Sequence, residues 1–103
     1  MDISVVIPLY NEAESLPELY AWIERVMNEH GYSYEVIFVN DGSTDDSWNV
    51  IGELRKKSEH VKGIKFRRNY GKSPALYCGF EQVQGDVVIT MDADLKLRSE
   101  ERV

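Results

Sequence analysis

Ile3-Ser4-Val5-Val6-Ile7-Pro8-Leu9-Tyr10-Asn11-Glu12, residues 3–12, sets a short apolar run against a polar loop. The run is rich in β-branched residues and nearly continuous rather than alternating. That is the pattern of a strand buried on both faces, as in a parallel sheet covered by helices. Three more apolar runs follow: Val36 to Val39, Ile64 to Phe66, and Val87 to Met91. Lys62, Lys65, Arg67 and Arg68 flank the third, which predicts an edge position for it.

Helical spacing fills the intervals. Leu16, Leu19, Tyr20, Ile23 and Met27 share one helix face, and Gly31 marks the end of that helix. Trp48, Ile51 and Leu54 share a second face, with Ser43-Thr44-Asp45-Asp46 as its capping signal. Leu76, Phe80 and Val83 form a third helix stopping at Gly85. The alternation β-α-β-α-β-α-β predicts an α/β fold with right-handed crossovers and a mostly parallel sheet in the order 3-2-1-4.

In such sheets ligands bind at the carboxyl ends of the strands, near the reversal of strand order. The polar clusters fall there: Pro8 to Glu12, Asn40-Asp41-Gly42-Ser43, Arg67 to Lys72, and Asp92-Ala93-Asp94. The other ends carry connector residues, and His30 and His60 are expected at helix ends, where the dipole favours them. Tyr20, Trp22, Trp48 and Phe80 have the spacing of core or interface residues.

Composition narrows the possibilities. The chain has 103 residues, 43% hydrophobic and 29% charged, with seven glycines and three prolines, which suits one globular domain. A net charge of −6 argues against nucleic-acid binding, which needs clustered cations. The lone cysteine, Cys78, allows no internal disulfide and is expected to be a small buried hydrophobe in a cytoplasmic protein. No apolar run reaches the roughly 20 residues of a membrane span, and no signal core is present.

Asp92 and Asp94 follow a strand, and alternate residues of an extended segment point the same way, so both carboxylates can face one hard cation. A capping loop has the same spacing. Asp41 could accept a hydrogen bond from a nucleobase N–H or could start the next helix. Gly71-Lys72-Ser73 resembles the end of a phosphate-binding P-loop, but Phe66 stands where that pattern needs its first glycine. The dinucleotide glycine fingerprint is absent after the first strand.

Taken in order, Val6-Ile7-Pro8-Leu9-Tyr10-Asn11-Glu12, Val39-Asn40-Asp41-Gly42-Ser43-Thr44-Asp45, Arg68-Asn69-Tyr70-Gly71-Lys72 and Met91-Asp92-Ala93-Asp94-Leu95 resemble the inverting family 2 glycosyltransferases. The last two blocks are most similar to the subgroup that transfers a hexose to a polyprenyl phosphate, as dolichyl-phosphate mannosyltransferases do. The resemblance implies the Rossmann-like N-terminal half of a GT-A fold. It implies that Pro8, Tyr10 and Glu12 line the nucleotide, Asp41 reads the base and Lys72 lies near phosphate. Asp92 and Asp94 would hold Mg2+ or Mn2+ against the diphosphate.

The donor implied is a UDP- or GDP-hexose, and the acceptor a polyprenyl phosphate or a glycan. Lys96 departs from the pattern: the subgroup has a Gln-Asp pair after the aspartates, and an ammonium repels a cation. Weak metal binding is therefore expected. The chain ends at Val103, before the region that in this family carries the catalytic base, the acceptor pocket and the membrane-associated helices. It is read as a donor-binding subdomain over residues 1–103, truncated after the Asp-x-Asp motif. No catalytic residue is assigned within it, and the membrane is met only through the region beyond, at the cytoplasmic face. The alternative is a stable α/β fragment or interaction module without activity.

Overall fold

The computed structural model describes residues 1–93. The elements are β1 (Ile3–Leu9), α1 (Leu16–His30), β2 (Tyr34–Asn40), α2 (Ser47–Lys57), β3 (Val61–Lys65), α3 (Lys72–Phe80) and β4 (Val87–Thr90). All pairs in the sheet are parallel and the order is β3-β2-β1-β4, as the alternation predicts.

Side-chain alternation sorts the core into two layers. Val5, Ile7, Leu9, Val36 and Phe38 meet Leu16, Leu19, Tyr20, Ile23 and Met27 of α1, together with Ile51 of α2. Val6, Ile37 and Val39 point the other way and pack on Ala75 of α3. Each fully buried Leu or Ile contributes about 1.5–3 kcal/mol, so the α1 layer supplies most of the cohesion. Both inner strands are buried throughout, which explains their unbroken apolar runs.

Gly31 ends α1 in the left-handed region at φ 70°, with its N–H on the Asn28 carbonyl, as the sequence implies.

Several boundaries and environments differ from the sequence-based expectation. β3 begins at Val61, because Gly63 and Lys62 pair with β2 despite their weak strand preference. α3 starts at Lys72 and ends at Phe80, so Val83 lies beyond it. β4 exposes Val87 and Val88, since only β1 pairs with it among the described strands. Trp22 and Phe80 are exposed, and Cys78 is half-buried.

His60 is not at a helix end. It stacks on Tyr34 at 4.1 Å between ring centroids, and its Nδ1 lies 3.0 Å from the Tyr34 carbonyl oxygen. Nor do Ser43 and Thr44 cap α2, which begins only at Ser47. Asp45 accepts from the Ser47 N–H at 2.9 Å and the Ser47 hydroxyl at 2.6 Å. Burial pushes the Asp45 carboxyl up, but the Ser47 bonds and the Ala13 N–H outweigh it, and the group sits below the usual carboxylate range.

Candidate nucleotide site

The chain runs outward from β1 to β2 to β3, then crosses through α3 to β4 on the other side of β1. The carboxyl ends of the strands at this reversal form a crevice. A cleft of about 250 Å³ opens there, lined by Pro8, Leu9, Tyr10, Asp41, Asn69, Gly71, Lys72 and Asp92. Four separate loops therefore contribute to one wall.

Two of these loops are stitched together by Asn11. Its φ of 55° lies in the left-handed region, which Asn enters more readily than most residues, and its Oδ1 accepts from the N–H groups of Thr44 at 2.8 Å and Asp45 at 3.2 Å. The Asn11 N–H donates in turn to Ser43 Oγ at 2.9 Å. Ser43 and Thr44 thus serve the β1 loop rather than α2, while Asp45 serves both, accepting the Ala13 N–H on one oxygen and Ser47 on the other.

Asp41 is only 5% exposed. Its N–H donates to the Leu9 carbonyl at 2.8 Å, joining the ends of β2 and β1. One carboxylate oxygen accepts the Tyr70 N–H at 2.8 Å, while the other accepts the Gly71 N–H and the Asn69 amide, both at 3.0 Å. Asn69 also donates to the Asp41 carbonyl at 3.2 Å. Burying a carboxylate costs several kcal/mol unless such donors replace its hydration. Gly42 turns sharply at φ 73°, pressed against the backbone of Arg68 and Asn69.

At the far end, Lys72 Nζ donates to Asp92 Oδ1 at 2.9 Å, and both side chains are substantially exposed. An exposed ion pair of this kind is worth about 0–1 kcal/mol, so an arriving anion or cation can replace either partner at little cost. Lys72 also opens α3, where Pro74 has no N–H and the Ala75 N–H donates to the Gly71 carbonyl, which leaves the N–H groups of Lys72 and Ser73 without acceptors inside the helix and suited to an anion.

Of the residues expected at the nucleotide, Pro8, Tyr10, Asp41, Lys72 and Asp92 come together in the cleft wall. Glu12 is not in that wall; it is half-buried, and its N–H donates to Ser47 Oγ at 3.1 Å. Asp94 and Lys96 lie outside the described residues. Sequence reasoning missed Asn69 and Asn11 as organising side chains. The signal was the residue type: an Asn in a loop bonds backbone groups, and Asn11, two residues past β1, also takes a left-handed φ.

A divalent cation would find the Asp92 carboxylate, a hard oxygen donor already neutralised by an ammonium. No group of three or more His, Cys, Asp or Glu converges among the described residues. These residues fit a cation only when a ligand's own oxygens complete the six or so that Mg2+ takes.

The family model of glycosyl transferase family 2 matches residues 4–101. The undecaprenyl-phosphate 4-deoxy-4-formamido-L-arabinose transferase of Shewanella sediminis is 45% identical over 100 residues, which cover 96% of this chain and 30% of that protein. The chain thus spans about a third of the length of the relatives it matches. Among solved structures, S. aureus TarS in complex with UDP-GlcNAc superposes with a TM-score of 0.75 at 23% identity, covering 99% of this chain and 30% of that one. Mannosyltransferase PcManGT from Pyrobaculum calidifontis, in complex with GDP-Man and Mn2+, gives 0.69 at 23% identity, covering 89% and 27%. These two likenesses establish the shared fold.

Proposed function

Because the chain belongs to glycosyl transferase family 2, we propose that it is the donor-binding part of an enzyme that transfers a hexose, with inversion, from a nucleoside diphosphate sugar to a polyprenyl phosphate. The observation that carries this reading is the cleft itself. A buried acceptor, Asp41, stands in the same wall as a cation-anion pair, Lys72 and Asp92, beside a helix N-terminus. Such a cleft suits a ligand with a base at one end and a diphosphate at the other. The acceptor class follows from the kind of relative the chain is similar to, the Shewanella undecaprenyl-phosphate transferase.

In this reading Pro8 and Tyr10 flank the nucleoside, with Glu12 supporting their loop, and Asp41 faces the base. Lys72 neutralises the diphosphate. Mg2+ or Mn2+ would be held by Asp92 with Asp94 and by the diphosphate oxygens, and would offset the charge that builds on the departing diphosphate. The two neighbours crystallised with nucleotide sugars, one with Mn2+, support that assignment.

The described bonds favour uridine over guanosine. A carboxylate offers about four acceptor positions, and at least three on Asp41 are taken by Tyr70, Gly71 and Asn69. One remaining position matches the single ring N–H of uracil, whereas guanine presents N–H groups from two adjacent nitrogens.

Titration of the chain with UDP and GDP, with and without Mn2+, followed by amide chemical shifts, tests the reading. UDP should bind more tightly and shift the amides of residues 8–12, 41–43 and 69–72. Absence of saturable shifts with either nucleotide would favour the inactive-fragment alternative.

A further inference from the structure

The carboxylate of Asp41 grips a segment that ends one residue before Lys72. Tyr70 and Gly71 give it their N–H groups and Asn69 its side-chain amide, and Asn69 returns to the Asp41 carbonyl. Gly71 is the residue from which α3 starts. At φ 104° it turns the chain in a way few other residues tolerate. Behind it, the Arg68 guanidinium lies 5.0 Å over the Tyr70 ring, and Tyr70 meets Phe66 edge-on at 5.6 Å. The segment is thus held by Asp41, and Tyr70 within it is also in contact with Arg68 and Phe66.

We propose that Asp41 is a positioning residue for the diphosphate end of the cleft: by anchoring the backbone of residues 69–71 it fixes where α3 begins and brings the Lys72 ammonium to Asp92. The proposal rests on the donor-site reading above. It assigns Asp41 a second task, independent of the base. A residue that only reads a base has no influence on a ligand lacking one. An anchor of the Lys72 segment does.

Inorganic pyrophosphate is the discriminating probe, because it has two phosphates and no base. Its affinity is measured by calorimetry for the wild-type chain, Asp41→Ala, Lys72→Met and the double variant, alongside UDP. Asp41→Ala should weaken pyrophosphate binding about tenfold, comparable to Lys72→Met, and the double variant should lie within about twofold of Lys72→Met alone, since both changes remove one interaction. Amide exchange of Tyr70 and Gly71 should quicken in Asp41→Ala while that of Val5 and Val36 stays slow.

Where circular dichroism shows Asp41→Ala unfolded, Asp41→Asn replaces it. That change keeps the volume but removes the charge and, in either orientation of the amide, points an NH2 at one or more of the three donors, and the same shifts are expected. Pyrophosphate affinity within twofold of wild type in the folded variant, with only UDP binding lost, overturns the proposal and leaves Asp41 a base reader. Failure of the wild-type chain to bind either pyrophosphate or UDP is a different result: it removes the donor-site reading and the positioning role with it.

Discussion

Gly42 is the position where the smallest covalent change should do the most damage. A Cβ there would stand 2.1 Å from the Arg68 carbonyl carbon and 2.3 Å from the Asn69 nitrogen, where ordinary contact begins near 3.4 Å. Both obstacles are backbone, so no rotamer relieves them, and the segment after β3 must retreat by about 1.3 Å or more. A retreat of that size stretches the Tyr70 and Gly71 bonds to Asp41, now 2.8 and 3.0 Å, beyond useful length.

Each hydrogen bond to a charged acceptor is worth about 1.5–3 kcal/mol, and an alanine at φ 73° adds about 1–2 kcal/mol. Water reaching Asp41 returns part of this, leaving a net loss of about 3–5 kcal/mol for Gly42→Ala. Domains of this size hold roughly 5–15 kcal/mol in all. Urea unfolding followed by far-ultraviolet circular dichroism should therefore show a midpoint lowered by more than 1 M, at the usual slope of about 1–3 kcal/mol per M. Pyrophosphate and UDP binding should fall together in the fraction that remains folded. A loss under 1 kcal/mol with intact binding would mean that the segment slides freely over Gly42, and the clamp described above would not exist.

Glu35 is 1% exposed and accepts from Ser4 Oγ and Lys62 Nζ, both at 2.5 Å, and from the Gln84 N–H at 2.7 Å. Burial pushes its carboxyl up, but these three donors outweigh burial and hold it below its ordinary 4.5. Its stabilisation is therefore complete above that value and fades as pH falls through the lower folded-state one. Glu35→Gln should cost about 1–3 kcal/mol at pH 7 and flatten the acid limb of stability against pH, and an unchanged limb would refute this. Tyr20→Phe removes the hydroxyl that lies 2.6 Å from Ser58 Oγ and 3.1 Å from the Tyr34 hydroxyl. A loss of about 1–2 kcal/mol in thermal unfolding is expected, and none would mean that water replaces it. Asp92→Asn should abolish any Mn2+ enhancement of UDP binding, while Lys96→Gln, which removes a repelling charge, should increase it. Titrations in which neither change alters the Mn2+ effect would exclude this edge as a metal site.

How far the sequence could be read depended on how local each signal was. The inner strands, the buried face of α1 and the Gly31 stop were legible because each is set within a few residues, by burial on both faces, 3.6-residue spacing or a left-handed turn. The identity of the cleft residues was legible for a related reason: parallel topology sends every strand-end loop to one edge, so polar residues after a strand need no further information to be placed there.

What escaped was how those loops bind one another. Asp41 looked like either a base reader or a helix cap, and the structure shows a third engagement, with a segment 28 to 30 residues downstream. Ser43 and Thr44 looked like caps of α2, and Asn11 draws them away from it. In each case a short polar side chain had several backbone partners within its chemical reach, and the choice was made by which loop the sheet order brought alongside. β3 lies beside β2, so the segment leaving β3 passes over the end of β2: the Asn40 carbonyl accepts the Phe66 N–H at 2.9 Å, and the Asp41 carboxylate then accepts from residues 69–71. The same adjacency explains why a glycine follows Asp41: the backbone that the carboxylate holds runs too close to leave room for a Cβ at the next position. Asp41 and Gly42 are therefore one device, an acceptor and the space beside it, and a change at either should be felt at Lys72.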